Sequence, residues 1–88
     1  MKKRNEAIVK IACCQMEPIV GEKERNIRRS SEMIEEAAKE GANLIVLPEL
    51  CNSGYVFDTR REAFDLSESV PEGDTCQEWM KLASKFDI

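Results

Sequence analysis

The chain has 88 residues, a formal net charge of −4 and a charged fraction of 34%, which is enough for one small domain. Its acidic balance provides no electrostatic basis for binding nucleic acid or an anionic membrane surface, so neither is expected as a partner. Histidine is absent, which excludes a Ser-His-Asp triad, a Cys-His pair and a histidine-ligated metal site within these residues.

Apolar runs and cysteines indicate a cytoplasmic protein. The first apolar run, residues 8–14, is short and contains Lys10, so it predicts neither a signal peptide nor a membrane span. Four cysteines are present, but none forms the CxxC spacing of a zinc or redox motif. Reduced thiols in the cytosol are therefore the expectation.

A first strand is predicted for residues 8–15, which are mostly apolar and partly β-branched. The connection after it, residues 15–21, holds one glycine near its end. A dinucleotide-binding turn needs several glycines directly after the first strand. A nucleotide-binding βαβ domain is therefore a disfavoured alternative.

Residues 22–40 predict a helix with one apolar and one charged side. On the charged side, Glu24 with Arg28 and Glu35 with Lys39 are spaced to form favourable i,i+4 pairs. The other side carries apolar and small residues at helical spacing: Ile27, Ser30, Ser31, Ile34, Ala37 and Ala38. This second group is expected to face the core.

Residues 44–47 predict the second strand. Four large aliphatic residues follow one another without a polar break, which is typical of a strand buried on both faces. Pro48 lacks an amide donor and suits the end of such a strand. The order strand, helix, strand predicts a right-handed βαβ unit. It places Gln15 and Glu49 at the same edge of a parallel sheet, where open α/β sheets bind their ligands.

The rest of the chain predicts a loop at 51–58, a short helix at 59–66, a surface loop at 67–74 and a last helix ending near residue 86. Asp74 or Thr75 is the predicted N-cap of the last helix. Its predicted apolar face consists of Cys76, Trp79, Met80, Ala83 and Phe86.

The predicted elements do not complete a fold. Ile88 has the character of the first residue of a third strand. Two strands and two helices cannot cover a sheet that is apolar on both faces. The chain is therefore predicted to be a fragment that further polypeptide completes.

One set of motifs runs through both predicted strands and the loop beyond them: IACCQM at 11–16, GANLIVLPEL at 41–50 and SGY at 53–55, with Gly21, Asn26 and Ala38 between them. This order resembles the amino-terminal part of the nitrilase superfamily, the carbon–nitrogen hydrolases. The resemblance implies an α/β fold, a four-layer αββα sandwich, of which residues 1–88 are the incomplete amino-terminal portion of a single domain. It also implies a homo-oligomer as the full-length protein.

The resemblance implies a Glu-Lys-Cys triad that cleaves a small-molecule amide or N-carbamoyl compound without metal or cofactor. The general base of the family maps onto Glu49, whereas its lysine and its nucleophile have no counterpart within these residues. The 88-residue chain alone is therefore expected to be inactive. Cys51 and Tyr55, in the loop after the second strand, are the expected substrate-binding residues. The alternatives are a true nitrilase, and an inactive remnant or interaction module that retains the βαβ unit.

Two of these residues have competing interpretations. Cys51 lies two residues after Glu49, and on an extended backbone both side chains would face the same way, which makes Cys51 an alternative nucleophile. Because the family takes its nucleophile from a distant strand, Cys51 is instead expected to line the pocket as a small apolar side chain. Glu49 could merely cap the following turn. The resemblance favours a partly buried general base.

Overall fold

The computed structural model describes residues 7–88 and contains two strands and three helices. In chain order these are β1 (Ile11–Cys13), α1 (Lys23–Lys39), β2 (Leu44–Val46), α2 (Arg60–Leu66) and α3 (Asp74–Phe86). The predicted order of elements is confirmed, including the short helix. No helix within residues 7–88 is long and apolar enough to cross a membrane.

The two strands pair in parallel, as predicted, with Ala12 opposite Ile45. Each strand has three residues and is shorter than predicted. Before β1, the amide of Lys10 donates to the side-chain oxygen of Asn43 (2.9 Å) and not to a strand neighbour. After β2, Pro48 has no amide to continue the ladder.

Helix α1 matches the prediction to within one residue at each end. Glu35 and Lys39 form the expected ion pair, with 3.2 Å between Oε1 and Nζ. The expected pair of Glu24 with Arg28 is absent from the ion pairs of residues 7–88. Arg29 lies 3.4 Å from Glu32 at i,i+3 instead. Such exposed pairs contribute little to stability, so the exchange has a small effect.

Helices α1 and α3 pack against each other. The indole Nε1 of Trp79 donates to the hydroxyl of Ser30 at 2.9 Å, and Ser30, Ile34 and Leu82 are buried. The predicted apolar face of α3 was wrong in two respects, because Met80 is 55% exposed and Leu82, which was not included, is 8% exposed. The face that meets α1 therefore keeps Trp79 but contains Leu82 in place of Met80.

Both predicted N-caps of α3 were wrong, since its N-cap is Gly73 and Asp74 is its first helical residue. Thr75 lies inside the first turn, and its hydroxyl donates to Glu68. At the other end, Ile88 donates its amide to the carbonyl of Ala83 (3.0 Å) and closes the last turn of the helix. It is therefore not part of a strand in this structure.

One face of the sheet is covered and the other is open. On the covered face, Ile45 lines a cavity of about 240 Å³ together with Ile34 and Trp79. On the open face, Leu44 and Val46 remain 51% and 48% exposed. The predicted burial of residues 44–47 on both faces is therefore wrong for this chain, because α1 and α3 both border the cavity at Ile45, whereas Leu44 and Val46 stay about half exposed.

Candidate functional site

The candidate site lies where the chain leaves β2. Because β1 and β2 are parallel, Gln15 and Glu49 both follow the carboxyl ends of their strands, as the sequence predicts. Glu49 borders an open cleft of about 560 Å³ whose walls come from the segment after β2, from α2 and from α3. The cleft at this edge is the site that the βαβ order predicts for a ligand.

The segment from residue 48 to residue 54, called the β2 turn here, holds Glu49 in a tight backbone conformation. Leu50 has a positive φ of 54°, which is uncommon for a residue with a branched side chain. The carbonyl of Leu50 accepts from the amides of Ser53 (3.2 Å) and Gly54 (2.8 Å). These two hydrogen bonds close a tight turn directly after Glu49.

Glu49 is exposed and forms no ion pair with any of residues 7–88. The expected partial burial of this side chain is therefore absent from the structure. The walls that α2 and α3 contribute to the cleft leave the Glu49 side chain exposed. The carboxylate is free to accept a proton from a group placed above it.

Cys51 is 1% exposed, and burial raises the pKa of its thiol above the usual value. The positive φ of Leu50 breaks the extended backbone on which the expected common orientation with Glu49 rested, although both residues border the cleft. A buried, protonated thiol is a poor nucleophile. The geometry therefore favours Cys51 as a wall of the cleft.

Tyr55 lies outside the cleft that Glu49 and Cys51 border. Its side chain is 48% exposed, and the chain turns away at Gly54, which has φ 99°. A side chain at Gly54 would lie 2.5 Å from a methyl carbon of Val20, so only glycine fits there. The aromatic residue that does line the cleft is Phe57.

Sequence reasoning missed a polar cluster at the base of the cleft, centred on Glu68. The Glu68 carboxylate accepts from the Asn52 amide (2.9 Å), the Thr75 amide (2.8 Å) and hydroxyl, and the Lys23 ammonium (3.1 Å). Burial opposes its ionisation, but the bonds from Thr75, Lys23 and Asn52 outweigh burial and lower the pKa of Glu68 from 4.5 to about 2. The loop composition around Glu68 contained no signal for these contacts.

Asn26 supports the same segment from α1. Its side chain is buried, with 2% exposed. The side-chain oxygen accepts from the backbone amide of Ile19 (2.9 Å). The side-chain nitrogen donates to the carbonyls of Ile19 (2.8 Å) and Asn52 (3.0 Å). The helix thereby holds the connection after β1 and the turn after β2 together. Helical spacing places Asn26 on the same side of α1 as Ser30 and Ile34, but it does not show which groups its amide binds.

Residues 7–88 contain no group of three or more His, Cys, Asp or Glu side chains placed to hold a metal ion. Two carboxylates, Glu49 and Glu68, border the cleft. Glu49 can exchange a proton in the cleft, whereas Glu68 already binds three side chains of the same chain.

Comparison with known proteins assigns these residues to one family. A family profile described as carbon-nitrogen hydrolase matches residues 10–88. The chain is similar to a nitrilase of Pyrococcus abyssi, with 43% identity over 76 residues, which is 86% of this chain and 29% of that protein. It is also similar to the chloroplastic omega-amidase of Arabidopsis thaliana, with 45% identity over 49 residues, 56% of this chain and 13% of that protein.

A third relative extends the likeness to another lineage. The nitrilase homolog 2 of Dictyostelium discoideum is 36% identical over 66 residues, 75% of this chain and 19% of that protein. The chain thus spans at most 29% of the length of these relatives. The matched part contains both strands, α1 and the β2 turn with Glu49.

Proposed function

The chain belongs to the carbon–nitrogen hydrolase family, and we propose that it is the amino-terminal part of an enzyme that cleaves a small linear amide or N-carbamoyl compound. One observation carries the proposal. Glu49 follows Pro48 at the carboxyl end of β2, exposed and bordering an open cleft. A carboxylate in that place can act as a general base.

In the proposed reaction, Glu49 takes the proton of a cysteine thiol supplied by polypeptide beyond residue 88. The thiolate attacks the carbonyl carbon, and a lysine from the same region stabilises the oxyanion that forms. Ammonia or an amine leaves as the thioester forms, and water then hydrolyses the thioester. No metal or cofactor takes part. The 88 residues by themselves are proposed to be inactive, because they supply the base without the nucleophile.

The open face of the sheet supports the proposed architecture. Ile11, Leu44 and Val46 are each about half exposed there, and burying such side chains is favourable. We propose that further strands of the same domain cover this face and complete a four-layer αββα sandwich in a cytoplasmic homo-oligomer. Residues 1–88 are then one portion of a single domain.

We further propose that Cys51 forms part of the substrate-binding wall, where its buried thiol contributes a small apolar surface. Tyr55 would contact the substrate only after later segments of the enzyme extend the cleft over its exposed ring. The likeness to proteins named nitrilase keeps a nitrile as the competing substrate class.

The proposal is tested by screening the full-length protein against simple amides, N-carbamoyl compounds and nitriles. Glu49→Gln should lower kcat by about 10²- to 10⁴-fold, as expected for the loss of a general base. The melting temperature should stay unchanged, because the side chain is exposed. Glu72→Gln, an exposed carboxylate in the loop before α3, is the matched control and should keep full activity.

Two outcomes would contradict the proposal. Wild-type protein that hydrolyses none of the three substrate classes would favour an inactive remnant or interaction module. A Glu49→Gln variant with wild-type kcat would remove Glu49 from the mechanism. The sequence encoded after residue 88 separates these cases further, since a lysine and a cysteine following additional strands support the enzyme.

A further inference from the structure

We propose that Glu68 is a positioning residue of the cleft, which fixes Asn52 and through it the β2 turn that carries Glu49. The proposal rests on the proposed function in one respect, namely that Glu49 is the group whose position matters. Glu68 itself lies 19 positions along the chain from Glu49 and acts only through Asn52.

The contacts of Glu68 tie three separate segments to one carboxylate. Its Oε2 accepts from the Asn52 amide at 2.9 Å and from the Lys23 ammonium at 3.1 Å, and its Oε1 accepts from the Thr75 amide at 2.8 Å. The side chain is 11% exposed. Hydrogen bonds to an ionised acceptor are stronger than neutral ones. The β2 turn is therefore fastened to the first turns of α1 and α3.

Asn52 is held from two sides. Its carbonyl accepts from the buried amide of Asn26 (3.0 Å), and its own side-chain amide donates to Glu68 and to the hydroxyl of Thr75 (3.1 Å). Asn52 lies three residues after Glu49 inside the turn. If Glu68 releases the side-chain amide of Asn52, one of the contacts that hold the turn is lost.

The absence of a side chain at Gly73 leaves room for the side chain of Glu68. A Cβ atom at position 73 would lie 2.6 Å from both Cβ and Oε1 of Glu68 and 2.8 Å from the carbonyl of Ser69. Its φ of −66° is ordinary, so any residue could adopt the backbone conformation. Glycine is needed at this position because a side chain would displace Glu68.

The helix ends explain why a carboxylate occupies this place. Lys23 is the first residue of α1, where a positive charge meets the positive end of the helix dipole. The amide of Thr75 belongs to the first turn of α3, whose N-cap Gly73 has no side chain to accept from it. The negative charge of Glu68 offsets the unfavourable position of the Lys23 charge at the end of α1. The same carboxylate supplies the acceptor that the Thr75 amide lacks within α3.

The test uses the full-length protein with Glu68→Gln, which keeps the shape of the side chain and removes its charge. Amide hydrogen exchange at Ser53 and Gly54 should become about tenfold faster, because a turn that has lost one of its contacts opens more often. The kcat should fall about 10- to 100-fold with KM within about twofold, because a misplaced base affects the chemical step. Glu35→Gln, which breaks an exposed ion pair with Lys39, should change neither quantity.

A double-mutant cycle distinguishes positioning from a general structural role. Asn52→Ala removes the same bond from the side of the turn and leaves Glu68 with Lys23 and Thr75. In that background, Glu68→Gln should change kcat by no more than about twofold, because the two residues act as a unit. If Glu68→Gln does not fold, Asn52→Ala carries the exchange and kcat measurements by itself. Gly73→Ala should act in the same direction while keeping the charge.

Several results would overturn the inference. Exchange at Ser53 and Gly54 at the wild-type rate in Glu68→Gln would show that Glu68 does not fix the turn. Faster exchange with an unchanged kcat, or additive effects in the cycle, would show that Glu68 does not position Glu49. If the wild-type protein hydrolyses nothing, the proposed function fails, and the exchange rates alone then decide whether Glu68 fixes the turn.

Discussion

The edge of the sheet at the β2 turn and the open face of the same sheet differ in how far this chain completes them. At the edge, polar groups are satisfied by the chain itself, and no buried side-chain nitrogen or oxygen in the part of the chain that the structure describes lacks a hydrogen-bond partner. On the open face, Leu44 and Val46 are about half exposed with no cover.

The difference follows from how strictly each interaction depends on direction. A buried polar group without a partner is costly, so its hydrogen bonds must be made by whichever segments bury it. Apolar burial depends on area and not on direction, so any later polypeptide can provide it. The hydrogen bonds of the candidate site are thus made within this chain, whereas much of the apolar burial of the sheet depends on further polypeptide.

The largest expected effect lies on the polar side, at Asn26. Asn26→Asp replaces the amide that donates to the carbonyls of Ile19 and Asn52 with a charged oxygen facing both of them. The free energy of unfolding of the full-length protein should fall by about 4 kcal/mol, measured by urea titration. Asn43→Asp is the matched control with little expected effect, because the oxygen of Asn43 is an acceptor already. Similar losses at both positions would contradict the bonds described for Asn26.

The next largest effect is the acid sensitivity of the Glu68 cluster. The pKa of Glu68 is lowered from 4.5 to about 2, so its ionised form stabilises the fold fully above about pH 4.5. That stabilisation, up to about 3 kcal/mol, is lost as the pH falls from about 4.5 to about 2. The protection factors of the Ser53 and Gly54 amides, which compare the measured exchange rate with the intrinsic rate at the same pH, should therefore fall in that window. This fall should be absent in Glu68→Gln; its persistence would assign the acid response to another carboxylate.

A smaller effect is expected on the covered face of the sheet. Trp79→Phe removes the indole N–H that donates to Ser30 (2.9 Å) and leaves a smaller ring. The Ser30 hydroxyl keeps its bond to the carbonyl of Ile27, so no buried donor is left without a partner. The loss should be about 2 kcal/mol in thermal unfolding. Tyr55→Phe, a change at an exposed ring, serves as the control, and equal losses would place Trp79 outside the core.

The smallest effect is expected on the open face, at Val46→Thr. The side chain is 48% exposed in this chain, so the 88 residues alone should lose less than about 0.5 kcal/mol. The full-length protein should lose about 1 kcal/mol, because the proposed sandwich buries the new hydroxyl. Val56→Thr, at a side chain that is 79% exposed, should have no measurable effect in either. An equally small loss at Val46 in both proteins would show that the face stays open.

Element order and topology could be predicted because their signals are local. The 3.6-residue spacing of residues 22–40, the aliphatic run at 44–47 and the proline after it each determine a short piece of backbone. Parallel pairing then follows from the order strand, helix, strand, because a helical crossover joins parallel strands. The face of α3 was predicted less well, because Met80 and Leu82 are both apolar and only the position of α1 decides which of them is buried.

The sequence by itself determined the family, the βαβ order and the place of Glu49 after a strand that ends at Pro48. Only the tertiary structure decided that Glu49 is exposed while Cys51 is buried, and that Glu68 binds Asn52, Thr75 and Lys23. The physical reason is that hydrogen bonds depend on distance and direction between segments far apart in the chain. A periodic pattern reports which side of one element is apolar, but it carries no information about which polar groups meet. The local sequence therefore predicts where the β2 turn lies, whereas contacts from α1 and α3 determine its geometry.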